Sequence, residues 1–305
     1  MDGSELRVII GPTAAGKSAL AMRLAATYRG TIISADSAQV YRRFDVGTAK
    51  PSQADRAAVP HEGVDLVEPT DRFSAARFAE AAEAWIAEAE RAGRTPVVVG
   101  GTGFWIAALV APLAPMPPIA AAPRRALEAF LSTLDDATLQ RWCAALDPTV
   151  ATRGPAQWRR AIEVALLTGQ RLSALQRQAP PRPPRAVRYL VVDPGDRLRS
   201  RIAARIDAML VAGWMDEVAA LRREVPHDAP AWRACGYERL RDAHAAGRSA
   251  DTQRESLVTE TWQYARRQRT WCRHQLRHGS ITRLDPEAPD AWATACAWWE
   301  ETRTP

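Results

Sequence analysis

The chain has 305 residues, 47% of them hydrophobic and 25% charged, with a formal net charge of +6, which fits an ordinary globular chain of one large or two unequal domains. A pI near 9.5 permits an acidic partner without requiring one. The start of the chain has no long apolar run and is broken by Glu5 and Arg7, so neither a signal peptide nor a membrane span is expected, and the cytoplasm is the expected compartment. Cys143, Cys235, Cys272 and Cys296 lie far apart without a C-x-x-C pair, a pattern of reduced thiols rather than of a disulfide framework or a zinc site. His274 and His278 stand four apart without a third metal ligand nearby, which reads as a solvated basic helix face.

Leu6–Ile10 reads as a buried strand and Ser18–Tyr28 as a helix with Leu20, Ala21 and Leu24 on one side. Between them Gly11-Pro12-Thr13-Ala14-Ala15-Gly16-Lys17-Ser18 fits G-x-x-x-x-G-K-[ST], the phosphate loop of nucleotide-binding and ATP-binding proteins, in the strand–loop–helix setting it requires. The loop amides, the helix dipole and the Lys17 ammonium are suited to phosphate oxygens, and the Ser18 hydroxyl to Mg2+. Lys17 and Lys50 are the only lysines in a chain whose other fixed cations are arginines. A compact ammonium can follow a phosphate oxygen where a guanidinium fork cannot, and the rarity of Lys50 predicts that it too faces a functional surface.

Thr31–Ala35 is a second strand, running into Asp36, and Pro96–Val99 a third, running into Gly100-Gly101-Thr102-Gly103. Apolar runs of this kind between helices predict an α/β fold, a P-loop NTPase-like parallel sheet covered on both faces by helices. The ligand of such a sheet lies beyond the carboxyl ends of the strands, so the phosphate loop, Asp36 and Thr102 should converge on one crevice. At that position Asp36 suits a magnesium ligand or a general base better than a plain helix cap.

Pro112, Pro115, Pro117 and Pro118, then Pro180, Pro181, Pro183 and Pro184, bracket helix-like stretches at Arg124–Leu134, Ala137–Leu146 and Ala156–Leu167. Residues 114–185 therefore read as an all-helical insertion between core segments 1–113 and 186–305. Val187–Asp193 returns to the sheet as a strand. Arg197, Arg201 and Arg205 then share one helix stripe, facing either an anion or water. From Glu255 to His278 a helical pattern interleaves Arg266, Arg267, Arg269, Arg273 and Arg277 with Trp262, Tyr264 and Trp271. On pattern alone an amphipathic helix with a solvated arginine face is the simpler reading, although phosphate contact and base stacking would use the same residues.

The phosphate loop, the segments Ile33-Ser34-Ala35-Asp36-Ser37-Ala38-Gln39-Val40-Tyr41, Asp45-Val46-Gly47-Thr48-Ala49-Lys50-Pro51 and Val99-Gly100-Gly101-Thr102-Gly103, and the later Arg160-Ala161-Ile162-Glu163-Val164, Cys235-Gly236-Tyr237 and Gln263-Tyr264-Ala265-Arg266-Arg267-Gln268-Arg269-Thr270-Trp271 resemble the tRNA dimethylallyltransferase family over nearly the whole chain. The resemblance implies a tRNA-modifying prenyltransferase that moves a dimethylallyl group from dimethylallyl diphosphate to N6 of the adenosine following the anticodon, in tRNAs reading codons that begin with U. It implies Mg2+ as cofactor, the tRNA anticodon stem-loop as partner, no membrane, and a cytoplasmic monomer.

Residue by residue, it implies that Asp36 is the base and that Thr102, Lys17 and Arg205 are catalytic. Gly11 to Ser18 would hold the diphosphate, with Ser18 on the metal. For tRNA contact it implies Asp36, Ser37, Ala38, Gln39, Thr102, Arg125, Ala156, Gln157, Trp158, Arg159, Arg160, Arg233, Ala234, Cys235, Gly236, Tyr237 and Glu238. It also turns the basic carboxyl-terminal helix toward an RNA role. The sequence departs from the family pattern in Phe104-Trp105, where a tyrosine is usual, in the shortened Thr152–Pro155 segment, and in Trp262 in place of an arginine. A small-molecule kinase explains Lys17 and Asp36 but not the insertion. Prenylation of free adenine nucleotides needs no arginine-rich surface, and a nucleotide-gated RNA-binding module needs no Asp36.

Overall fold

The computed structural model describes residues 5–111, 113–114, 116–178 and 185–301. Within unit 1, formed by Met1–Val110 and Pro184–Pro305, six strands build one sheet: β1 (Leu6–Ile10), β2 (Gly30–Ala35), β3 (His61–Glu62), β4 (Thr95–Gly100), β5 (Val187–Val192) and β6 (Gly279–Leu284). Their order is β3-β2-β4-β1-β5-β6, and every neighbouring pair is parallel.

Strand alternation divides the apolar residues between two faces. Val8 and Ile10, Ile33, Val98, Tyr189 and Val191 join one buried cluster with the helix Ala75–Arg91 and the helices that follow β5. Ile9, Ile32, Val97, Val99, Leu190 and Val192 join another, which Trp298 and Trp299 of the helix Ala291–Glu300 close. Both faces are covered, as a parallel sheet demands.

Register places the site. Ile10 pairs with Gly100, Ala35 with Gly100, and Ile10 with Val191, so the strand ends that carry the Gly11 loop, Asp36 and Thr102 finish at one level. Gly100 has to be glycine there, because an added Cβ would lie 2.1 Å from the Ala35 carbonyl oxygen.

Unit 2, Ala111–Pro183, carries the helices Ala121–Ser132, Asp136–Leu146, Pro155–Thr168 and Leu172–Arg177, with a core of its own around Leu131, Leu139, Cys143, Ile162 and Val164. Pro112, Pro115, Pro180, Pro181, Pro183 and Pro184 lie outside the described residues. Pro117 and Pro118 precede the first of these helices in irregular chain.

Most element ends shift by one to three residues from the sequence expectation, and the largest shift concerns the basic helix. The basic helix runs Arg254–His274 rather than on to His278, and His278 takes a left-handed φ of 67° just before β6. His274 and His278 thus do not share a helix face, and β6, which begins at Gly279 directly after the expected helix, was not foreseen.

Candidate active site

The Gly11–Ser18 loop is shaped by its backbone. A Cβ on Gly11 would sit 2.1 Å from the Val192 carbonyl oxygen, and Gly16 at φ +95° needs glycine's left-handed freedom. Ala14 also takes a left-handed φ, 61°; its carbonyl accepts a 2.9 Å hydrogen bond from Arg201 Nε, whose Nη1 pairs with Glu287 at 2.6 Å. Gly16 caps the helix Lys17–Thr27 without a side-chain hydrogen bond, and the first turn holds no acidic residue. The helix start is thereby left open to an external anion.

Two cavities meet beside this loop. The larger, of about 410 Å3, is lined by Lys17, Ser18, Gly16, Gly101 and Gln268; the smaller, of about 300 Å3, by Arg233, Cys235, Thr261 and Arg267. Thr13, Asp36, Arg205 and Tyr264 line both. Asp36 Oδ1 accepts from Ala38 N at 2.9 Å, a local turn that fixes the carboxylate. Thr102 Oγ1 accepts from Ser37 N at 3.1 Å, and the Tyr264 hydroxyl interacts with Thr102.

The charges around the loop are arranged as an anion site. Burial, with Arg205 nearby, pushes the Lys17 ammonium down to about 8, while Asp36 and Cys272 pull it upward. Burial likewise lowers Arg205 against the opposing pull of Asp36. Lys17 Nζ donates to Pro12 O at 2.7 Å. Two cations turned toward one cavity raise each other's cost unless a polyanion enters. Of the arginine stripe, Arg205 alone lines this space. Arg197 is paired with Asp285 and Glu287, and Arg201 with Glu287. Ser18 is exposed at the cavity wall, and no group of three or more His, Cys, Asp or Glu side chains able to hold a metal occurs among the described residues. A cation held there would have the Ser18 hydroxyl as its protein ligand, with its other positions left to ligand oxygens and water.

The other sequence-expected residues separate into lining and support. Ser37, Ala38, Arg233, Ala234 and Cys235 line the smaller cavity, where burial pushes the Cys235 thiol up to about 11 and keeps it protonated. Gln39, Gly236 and Tyr237 are buried and bonded within the protein, and Gln39 also borders the larger cavity. The Gln39 carboxamide accepts from Ser34 Oγ and donates to Thr48 O and Ala49 O; Gly236 N donates to Glu260 Oε1 at 3.0 Å. Tyr237, at 0% exposure, donates to Glu217 Oε1 at 2.5 Å and accepts from Gly47 N at 3.0 Å. Glu217 Oε2 takes the Asp45 and Val46 amides.

Glu217→Ala should therefore cost about 2–3 kcal/mol of stability, measured by thermal melting. An unchanged melting temperature would show that other contacts hold the 45–47 loop.

Glu238 is exposed and meets Arg241 at 3.4 Å. In unit 2, Arg125, Ala156 and Gln157 are exposed. Trp158 is buried in the core of that unit, with Nε1 donating to Ala151 O at 3.1 Å. Arg159 reaches Asp136 at 3.7 Å, and Arg160 pairs with the buried Glu163 at 2.7 Å. The Lys50 side chain is 2% exposed, and its ammonium donates to Tyr41 O, Asp45 and Asp65. Although Lys50 borders the larger cavity, its charge is spent on holding the loop.

Residues 39–275 match the family model described as IPP transferase, and residues 4–59 match one described as isopentenyl transferase. The chain belongs to the IPP transferase family. Its similarity to tRNA dimethylallyltransferase of Halorhodospira halophila is 43% identity over 278 residues, covering 88% of this chain and 89% of that protein. For the one from Stenotrophomonas maltophilia (strain R551-3) it is 41% over 283 residues, covering 88% and 89%. Among solved structures, the tRNA isopentenylpyrophosphate transferase of Bacillus halodurans superposes with a TM-score of 0.63 at 30% identity, covering 92% of this chain and 89% of that one. A eukaryotic dimethylallyltransferase acting on tRNA shares the fold, with a TM-score of 0.75 at 24% identity, covering 96% and 77%. In this IPP transferase family member the matched span of the family model takes in Thr102, Arg205, Arg233 and Tyr264, while Asp36 and the Gly11–Ser18 loop lie within the other match.

Proposed function

We propose that the protein transfers the dimethylallyl group of dimethylallyl diphosphate to N6 of the adenosine that follows the anticodon, in tRNAs reading codons that begin with U. One observation carries the reading: Asp36 and Arg205 line both cavities, so a carboxylate and a cation stand where a phosphate-binding space opens onto a second space edged by Arg233 and Arg267.

In this reading the diphosphate lies along the Gly11–Ser18 loop and the adenine enters the smaller cavity. The N6 lone pair forms the new bond to the allylic carbon as the bond from that carbon to the diphosphate oxygen breaks. Asp36 takes the N6 proton. Loop amides, Lys17 and Arg205 stabilise the charge that collects on the departing diphosphate. Ser18 would hold Mg2+, which supplies further neutralisation of the diphosphate oxygens. Thr102, fixed against Ser37, positions the turn that carries Asp36. Extruding the base from its loop costs a few kcal/mol, recovered by stacking and by arginine contacts to the backbone. Arg125, Ala156, Gln157 and Arg159 of unit 2 and Arg233 and Arg267 of unit 1 are the surface groups proposed for tRNA.

Four free thiols suit a reducing compartment, and we propose a cytoplasmic enzyme on that ground; we propose a monomer, which light scattering of the purified chain tests. Transfer of label from dimethylallyl diphosphate to unmodified tRNA, against free AMP as competing acceptor, tests the reaction.

Lys17 adds a pH signature. Because its ammonium titrates near 8 in the free protein, affinity for inorganic diphosphate should fall by about tenfold between pH 7 and 9 relative to Lys17→Met. The ratio of the two proteins cancels the ligand's own ionisation. Calorimetric titration with equal slopes for both proteins would contradict the assignment.

A further inference from the structure

The reaction proposed above needs the leaving group and the proton acceptor to be held in one geometry, although they sit on loops from different strands. Gln268, on the helix Arg254–His274, spans the gap between these loops. It is 7% exposed, and both ends of its carboxamide are used. Oε1 accepts from Thr13 N at 2.7 Å, inside the phosphate loop after β1, and Nε2 donates to Gly101 O at 3.0 Å, in the loop after β4.

The connection continues without a break toward the carboxylate. Thr102, next to Gly101, donates its own amide to Ala35 O at 3.2 Å and accepts from Ser37 N at 3.1 Å, so the residues on either side of Asp36 are bonded to Thr102. Space has been kept for this arrangement, because a Cβ on Gly101 would come within 2.2 Å of Gln268 Nε2. A residue serving only to fill the core here would need no polar ends; a buried carboxamide is tolerated when all its bonds are made.

We infer that Gln268 is a positioning residue that sets the phosphate loop in register with Asp36, through Gly101 and Thr102. It touches neither reacting atom. Its contribution lies in the alignment of two groups that act in the same step, and misalignment of that kind lowers turnover more than it weakens ground-state binding. The inference rests on the proposed prenyl transfer.

The test uses the full chain with dimethylallyl diphosphate and unmodified tRNA. Gln268→Met removes both hydrogen bonds at similar volume. Gln268→Glu keeps the shape and the acceptor for Thr13 N but offers an ionised carboxylate oxygen to the Gly101 carbonyl. Both should lower kcat by roughly tenfold or more while KM for the diphosphate moves less than about threefold. Gly101→Ala, which displaces the carboxamide from the other side, should give a similar kcat, and Gly101→Ala with Gln268→Met should be no slower than the worse single variant.

Thermal melts identify folded proteins for the comparison, and Gln268→Glu stands in if Gln268→Met does not fold. Wild-type kcat in the folded Gln268 variants, a loss carried by KM alone, or a double variant whose losses multiply would overturn the inference and leave the reaction itself standing. A wild-type protein that transfers no dimethylallyl group would remove the reaction and this role together.

Discussion

Replacing Asp36 by Asn is expected to lower kcat for prenyl transfer by about 10^2- to 10^4-fold, the range a general base contributes, with tRNA affinity retained. The substitution is chosen because Asp36 Oδ1 also accepts from the Ala38 amide, and an asparagine oxygen can keep that turn while losing the basicity. Asp36→Ala removes both, so comparing the two separates proton transfer from turn capping. Equal, near-complete losses assign the carboxylate to the chemistry. An Asn variant with wild-type turnover would leave Asp36 a structural cap, the third role its position allowed. Binding is read by filter retention of unmodified tRNA, turnover by incorporation of label.

Lys17→Met should move activity and stability in opposite directions. Loss of a cation aimed at the departing diphosphate is expected to cost about 10^2- to 10^3-fold in kcat. Stability should rise. An ordinary lysine holds its proton to 10.5, whereas Lys17 is lowered to about 8, so between those values the unfolded chain binds the extra proton and stability increases as pH rises. Below about pH 8 both states are protonated and the full cost of the buried charge is present.

Removing that charge should stabilise the unliganded protein by about 1–3 kcal/mol at neutral pH, the lower part of the range allowing for cavity water. The gain should shrink toward pH 10. Thermal melts from pH 6 to about 10 read both the sign and the slope. A variant less stable than wild type would mean that the Lys17 bond to Pro12 O outweighs the cost of burial.

Much of the fold lay open in local patterns. Leu6–Ile10 emerged with its expected bounds and Val187–Asp193 lost one residue, because short, predominantly apolar runs between breakers have few alternatives. His61–Glu62 escaped notice because a two-residue strand carries no period. Gly279–Leu284 escaped because an exposed edge strand has no apolar alternation and follows a helix without a proline or an obvious cap.

The same distinction applies to the site. Gly11–Ser18, Asp36 and Thr102 stand at strand ends, where topology places ligands, and chemistry singles them out. Gln39, Tyr237 and Lys50 stand within equally distinctive segments, yet their polar ends turn inward to Thr48 O, Glu217 and Asp65. Sequence shows that such residues are specified and not which way they face. The roles of Gln268 and Glu217 depend on partners about 255 and 171 positions away, a separation at which no spacing rule operates.

The most direct measurement is to incubate the purified protein with labelled dimethylallyl diphosphate, Mg2+ and unmodified tRNA of the U-reading class, then digest the tRNA to nucleosides and locate the label. The account predicts label on N6 of the adenosine next to the anticodon, abolished by Asp36→Ala. Label on free AMP alone, or phosphate transferred from ATP with none on tRNA, would contradict it.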